Sequence, residues 1–127
     1  MDDSRHPEYS EALLDHFHHP RNVGALESPD AQAFVESPLH GDTLRLTFAL
    51  EGDRIRQVRF QCRGCTVAIA AGSAATTLLE GRTITEALRL GNDDVDRALG
   101  GVPEDRLGCS LLVAEAVRAA FSTRGSG

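Results

Sequence analysis

Apolar residues follow two rhythms along this chain. Leu44, Leu46, Phe48 and Leu50 alternate with Arg45, Thr47 and Ala49, and Val58, Phe60 and Cys62 alternate with Arg59, Gln61 and Arg63. A period of two is the mark of a half-buried strand, because successive side chains leave opposite faces of the pleat. Glu51-Gly52-Asp53 supplies turn chemistry between the runs, which predicts an antiparallel hairpin with Cys62 on its apolar face. Ala33-Phe34-Val35 is a weaker strand candidate upstream.

The rest of the chain has a helical rhythm. Leu13, Leu14 and Phe17, with Tyr9 one turn back, form an apolar stripe that Ser10 is placed to cap and that ends before Pro20. From Cys65 a small-residue run reaches Leu79, with Gly81 placed as a C-terminal cap. Thr83-Ile84-Thr85-Glu86 has capping-box spacing and opens a short helix through Leu90, and Asn92 is placed to cap another through Leu99. Leu112, Val113, Ala116, Val117, Ala120 and Phe121 make the face of a last helix. Strands and helices are segregated rather than alternating, which predicts an α+β arrangement with helices on one face of a small antiparallel sheet.

With 127 residues the chain is expected to be one domain over 1–127, with a core of about 9–121, a frayed start and a loose polar tail over 122–127. All 13 basic residues are Arg. The lack of any Lys excludes Schiff-base chemistry and the lysine of a phosphate-binding loop. A net charge of −6 has the wrong sign for a chain whose main partner is nucleic acid or an anionic membrane. No apolar run approaches the roughly 20 residues that span a bilayer, and the polar start is unlike a signal peptide, so a cytoplasmic protein is expected.

Three cysteines without an export signal point to metal or thiolate chemistry rather than to a disulfide framework. Cys65 and Cys109 are each expected just before the first turn of a helix, where unpaired N–H groups favour a thiolate. The ordinary alternative is an inert core cysteine. Cys62 and Cys65 spell Cys-x-x-Cys, a weak zinc or redox signal, and Cys62 is equally a small core residue. His40 and Asp42 flank Gly41 in a loop and offer an imidazole and a carboxylate, both acceptable to a metal. His16, His18 and His19 read more simply as favourable charges at a helix C-terminus. There is no serine elbow, glycine-rich phosphate loop or His-Glu-x-x-His pattern.

The ordered set Tyr9-Ser10, Asp15-His16-Phe17, Pro20-Arg21-Asn22-Val23-Gly24, Pro38-Leu39-His40-Gly41-Asp42, Gly64-Cys65 and Cys109-Ser110-Leu111 resembles the iron–sulfur cluster assembly scaffold family of the IscU/SufU/NifU N-terminal type. The likeness runs over about 9–121. It implies a compact SufE/NifU-like α+β fold with a three-stranded antiparallel sheet packed by helices. It also implies a site for a transient [2Fe–2S] cluster, or for Zn²⁺ in its place. By position the ligands are Asp42, Cys65, Cys109 and His40, the last standing where the family has its first cysteine. Gly108 stands where many members have a histidine. An imidazole in place of a thiolate shifts the donor set toward what zinc accepts.

The resemblance implies further that a cysteine desulfurase delivers sulfur as a persulfide, that Cys109 accepts it, and that apo iron–sulfur proteins receive the cluster. The segment read by a dedicated Hsp70 chaperone in some members is replaced by Gly101-Val102-Pro103-Glu104-Asp105, which counts against that partner. The expectation is a scaffold or carrier rather than a turnover enzyme. Its rivals are a zinc-dependent sulfurtransferase and a scaffold-fold interaction module that has lost its metal.

Overall fold

The structure, a computed structural model, describes residues 9–37, 41–103 and 107–125. In chain order the elements are α1 (Glu11–His18), β1 (Ala31–Glu36), β2 (Thr43–Glu51), β3 (Arg54–Arg63), α2 (Thr66–Leu79), α3 (Ile84–Leu88), α4 (Asn92–Ala98) and α5 (Leu107–Gly125). The strands form one antiparallel sheet in the order β1-β2-β3, the three-stranded α+β architecture implied by the resemblance.

The alternation in β2 and β3 works as the sequence predicts. Leu44, Leu46, Phe48, Ile55, Val58 and Phe60 are buried on one face. That face packs against α2 and α5, whose Val67, Ala71, Ala74, Ala75, Val113, Val117 and Phe121 complete the core. The rings of Phe48 and Phe121 lie 4.7 Å apart at a tilt. The outer face is only partly bare. Thr47 points outward yet is 2 % exposed, because its hydroxyl accepts the Leu26 N–H at 3.1 Å and the segment before β1 crosses over it.

The Pro20–Gly24 segment closes the free edge of β3. The Phe60 N–H donates to the Asn22 carbonyl and the Phe60 carbonyl accepts from Gly24 N–H, at 2.9 and 2.8 Å, in one parallel bridge. Asn22 takes φ +58, a left-handed conformation that asparagine tolerates better than other L residues. Its side chain spans the gap, donating to Thr76 Oγ1 and accepting from Arg59. Asp15 holds the Arg21 guanidinium at 2.6 Å, and Ser73 Oγ meets both His16 Nδ1 and the Arg21 N–H. Together these contacts pin α1 and the sheet edge to α2.

Helix ends follow their local chemistry, with corrections of one or two residues. Ser10 accepts from Leu13 N–H, and Thr83 with Glu86 forms the full capping box. Asn92, expected as a cap, is instead the first helical residue; the cap is Gly91, whose N–H donates to the Asp94 carboxylate at 3.0 Å. Helix α3 stops at Leu88, and Gly81 lies just past α2 with φ +87, its N–H turned to the Ile55 carbonyl. Helix α5 starts earlier and ends later than expected, so 122–125 continue the helix rather than starting a loose tail. Gly108 lies inside its first turn, where it costs only the roughly 1 kcal/mol of backbone entropy that glycine loses relative to alanine in a helix. Among the described residues no helix is long and apolar enough to cross a membrane.

Candidate metal centre

Three donors from three distant segments meet where the ends of β2 and β3 face the starts of α2 and α5. Asp42 immediately precedes β2, Cys65 is the N-cap of α2, and Cys109 is the third residue of α5. Cys109 therefore sits inside its helix's first turn, not just before it as the sequence suggested. Its Sγ is 3.5 Å from that of Cys65 and 3.7 Å from Asp42 Oδ2, and one donor atom from each residue lies within 4.8 Å of the other two. Around a tetrahedral zinc, with bonds of about 2.3 Å to sulfur and 2.0 Å to oxygen, neighbouring donors stand about 3.8 Å (S···S) and 3.5 Å (S···O) apart. The two measured separations already match those edges, so this donor set fits Zn²⁺ or one iron of a thiolate-held cluster.

Local sequence explains the convergence. The β2–β3 ladder pairs Thr43 with Arg63, which sets Asp42 beside Gly64 at the same end of the sheet. A Cβ on Gly64 would lie 2.7 Å from Asp42 Oδ1, so only glycine lets the carboxylate rest against the chain one residue before Cys65. In the sequence Gly64 is only a letter of the motif, and its position directly before a capping cysteine is the available signal. Asp42 is 6 % exposed and Cys109 3 %, while Cys65 is half-buried and reachable.

The electrostatics divide the thiols. Cys65 is lowered to about 6, chiefly by the hydrogen bond from Cys109, against the cost of burial and with help from the Ala68 and Val67 N–H groups at the start of α2. Cys109 is raised above the ordinary thiol range, because it donates its proton to Cys65, is buried, and faces the charges of Cys65 and Asp42. In the metal-free site the pair therefore keeps one proton on Cys109 and carries its thiolate on Cys65. Burial pushes Cys62 up to about 12, with the negative charges of Asp42 and Cys65 adding to it. Iodoacetamide should accordingly label Cys65 first, with a rate that rises with pH through about 6 as the thiolate forms, while Cys62 stays unmodified at pH 8. Peptide mapping across pH checks this; labelling of Cys62 ahead of Cys65 would contradict it.

Among the predicted ligands, Asp42, Cys65 and Cys109 come together, and His40 lies outside the described residues. Cys62 packs against the core and is not among the three donors within reach of one another. His16 is committed to Ser73, and its pKa is lowered by burial and then by the neighbouring Arg21. His18 lies edge-on to Phe17. Neither joins a metal-ligand cluster among the described residues.

Comparisons with known proteins identify the family of the chain. Residues 8–124 match the family model described as NifU-like N terminal domain. The chain is 43% identical over 113 residues to the iron-sulfur cluster assembly scaffold protein IscU 1 of Archaeoglobus fulgidus, covering 89% of this chain and 74% of that one. It is 39% identical over 116 residues to the iron-sulfur cluster assembly scaffold protein IscU of Aquifex aeolicus, covering 90% and 74%. In three dimensions it is similar to the N-terminal NifU-like protein of Brucella abortus, with a TM-score of 0.79 at 20% identity over 94% of this chain and 95% of that one, a likeness of fold. The family match across nearly the whole chain, together with identities of this size, establishes that the chain belongs to the family of NifU-like N-terminal domains.

Proposed function

We propose that the protein is a scaffold for iron–sulfur cluster assembly, a carrier whose cargo is a nascent [2Fe–2S] cluster, with Zn²⁺ able to occupy the same donors. The observation that carries this reading is the convergence of Asp42, Cys65 and Cys109 within 4.8 Å of one another, with the Cys65–Cys109 and Cys109–Asp42 separations of 3.5 and 3.7 Å close to tetrahedral edges. His40 belongs to the proposal as the fourth donor on the strength of the resemblance. Iron and sulfide are substrates here, and the chain's part is to hold them and let them go. Cys65 supplies a thiolate ready to bind. Cys109 supplies a second once its proton has left, displaced by the metal's charge. Asp42 is the hard oxygen donor beside two soft sulfurs, and so the ligand a soft metal gives up first.

Sulfur delivery by a cysteine desulfurase fits the same groups. A Cys109 thiolate, formed as its proton passes to Cys65 or Asp42, attacks the outer sulfur of the desulfurase persulfide. A sulfur–sulfur bond forms on Cys109, the old one breaks, and the desulfurase cysteine leaves as thiolate, so electrons balance without an external oxidant. Apo iron–sulfur proteins as recipients and a cytoplasmic location are part of the proposal. All three cysteines are free, the state a thiolate metal site needs and a reducing compartment maintains.

Anaerobic reconstitution with iron and sulfide, followed by absorption spectra, tests the reading. Wild type is expected to take up cluster in proportion to protein, and His40→Cys to retain it at least about tenfold longer, since a third thiolate replaces an imidazole. No cluster and no zinc on the wild-type protein would overturn the scaffold reading; equal retention in His40→Cys would remove His40 from the ligand set. Repeated turnover of persulfide sulfur, rather than stoichiometric loading, would favour a sulfurtransferase instead.

A further inference from the structure

Beside the metal centre a cavity of about 480 Å³ is lined by Glu36, Gly41, Asp42, Thr43, Arg63 and Gly64. The sheet register explains its charges. Glu36 pairs with Thr43, and Thr43 pairs with Arg63, so the three residues form one row across the outer face of the sheet. With strands about 4.8 Å apart, the backbone positions of Glu36 and Arg63 are separated by about 10 Å, with only the small Thr43 between them. Both end residues are exposed. Neither side chain makes a hydrogen bond or ion pair among the described residues, although many surface arginines here do, such as Arg21, Arg54 and Arg97. Among the described residues the cleft thus presents a carboxylate and a guanidinium without a side-chain partner, at the two ends of that row. Between them it reaches Gly64 and Asp42, the pair pressed together at the donor site. Gly41, at φ +71, has open space where a side chain would stand.

A single anion would gain from Arg63 and lose to Glu36, and a single cation the reverse. A zwitterion gains from both. Resting on the scaffold reading above, we propose that this cleft binds a zwitterionic low-molecular-weight thiol of the cysteine class, whose sulfur displaces Asp42 from the cargo metal and so begins its release. Glu36 pairs with the ammonium and Arg63 with the carboxylate, and the short side chain carries the sulfur to the Asp42 side of the cleft. The step is a ligand exchange. The incoming thiol gives its proton to solvent, a metal–sulfur bond forms, the metal–oxygen bond to Asp42 breaks, and no electrons change hands. The thiol pool would thereby set how fast cargo leaves, and the specificity would reside in Glu36 and Arg63, which are not metal ligands.

The test uses the full chain loaded with one equivalent of zinc, with release followed by a chromophoric chelator. Four thiols dissect the cleft: L-cysteine carries both charges, 3-mercaptopropionate only the carboxylate, cysteamine only the ammonium, and 2-mercaptoethanol neither. Each rate is divided by that protein's own release without thiol, and variants are compared with wild type thiol by thiol, so that the acidity of each thiol cancels. Arg63→Gln is expected to slow cysteine and 3-mercaptopropionate about fivefold, the size of one exposed charge pair, and to change the other two less than twofold. Glu36→Gln is expected to slow cysteine and cysteamine alone. S-methyl-L-cysteine, which keeps both charges but has no thiol, should compete with cysteine on wild type and not on Arg63→Gln. Equal ratios for all four thiols, or no competition, would overturn the cleft assignment while leaving the scaffold reading standing. A chain that holds neither zinc nor an iron–sulfur cluster would overturn both.

Discussion

Cys109→Ala is expected to abolish stoichiometric zinc binding, with affinity falling by at least about 100-fold, or roughly 2.7 kcal/mol. Disturbing only the outer partners of a metal's ligands already costs 10–100-fold, and here one of the donors themselves is lost. Cys65→Ala should cost as much, since it removes the thiolate that is charged near pH 6. Asp42→Ala should cost less, about tenfold, because an oxygen donor contributes least beside two sulfurs. Cys62→Ala should leave affinity within twofold: its thiol is held protonated near 12 and it stands outside the donor triangle. Competition against a chelator of known affinity gives the four values, and metal analysis gives the stoichiometry. If Cys62→Ala lost zinc while Cys109→Ala kept it, the site would be the Cys-x-x-Cys pair and the geometry described above would be wrong.

The strands were legible because each side chain in β2 and β3 answers to a single question, inside or outside. Leu44, Leu46, Phe48, Val58 and Phe60 give the same answer in the sequence and in the fold. The capping box at Thr83 was equally plain, since both of its hydrogen bonds lie within four residues. Local patterns miss what depends on distant partners. Thr47 looks like an outward strand residue and is buried by a loop that precedes it by some twenty residues. Asn22 looks like any turn residue, yet its left-handed backbone and amide join α2 to the edge of β3. Ser73 lies unremarked in a run of small residues and is the meeting point of His16 and Arg21.

Three of the four expected donors come together, and their chemistry was not legible beforehand. Residue types and the family resemblance pointed to Asp42, Cys65 and Cys109, which converge, and to His40, which lies outside the described residues. The start of α5 was placed too late because the regular apolar face by which the helix was read begins only at Leu112, whereas the helix begins at Leu107. That shift gives the two cysteines different roles. Cys65, as N-cap, accepts help from Val67 and Ala68, whereas Cys109, inside its helix and buried, keeps the proton. Only three-dimensional proximity separates a thiolate from its donor, because either cysteine alone would be read as the nucleophile.

The second large effect lies in the packing that holds α2 against the sheet. Phe60→Ala is expected to cost about 3–5 kcal/mol, since the ring is 2 % exposed and its loss leaves a cavity in the core. In a chain of this length that lowers Tm by some 10–20 °C. The same ring leaves no room on α2: a Cβ on Gly72 would lie 2.6 Å from Phe60 Cδ2 and 2.8 Å from Cε2. Gly72→Ala should therefore destabilise by about 1–2 kcal/mol, overpacking outweighing the roughly 1 kcal/mol that alanine gains in a helix. In the Phe60→Ala background the sign reverses. The added methyl then enters vacated space and keeps its helical advantage, so Gly72→Ala is expected to restore about 1 kcal/mol, a coupling of 2–3 kcal/mol between the two positions. Urea denaturation of the four proteins measures it, and additive effects would show that the ring and the glycine do not press on each other. Zinc affinity at low temperature should survive in all four, because Gly64, Cys65 and Cys109 hold their places through the strand register and the helix starts rather than through this ring.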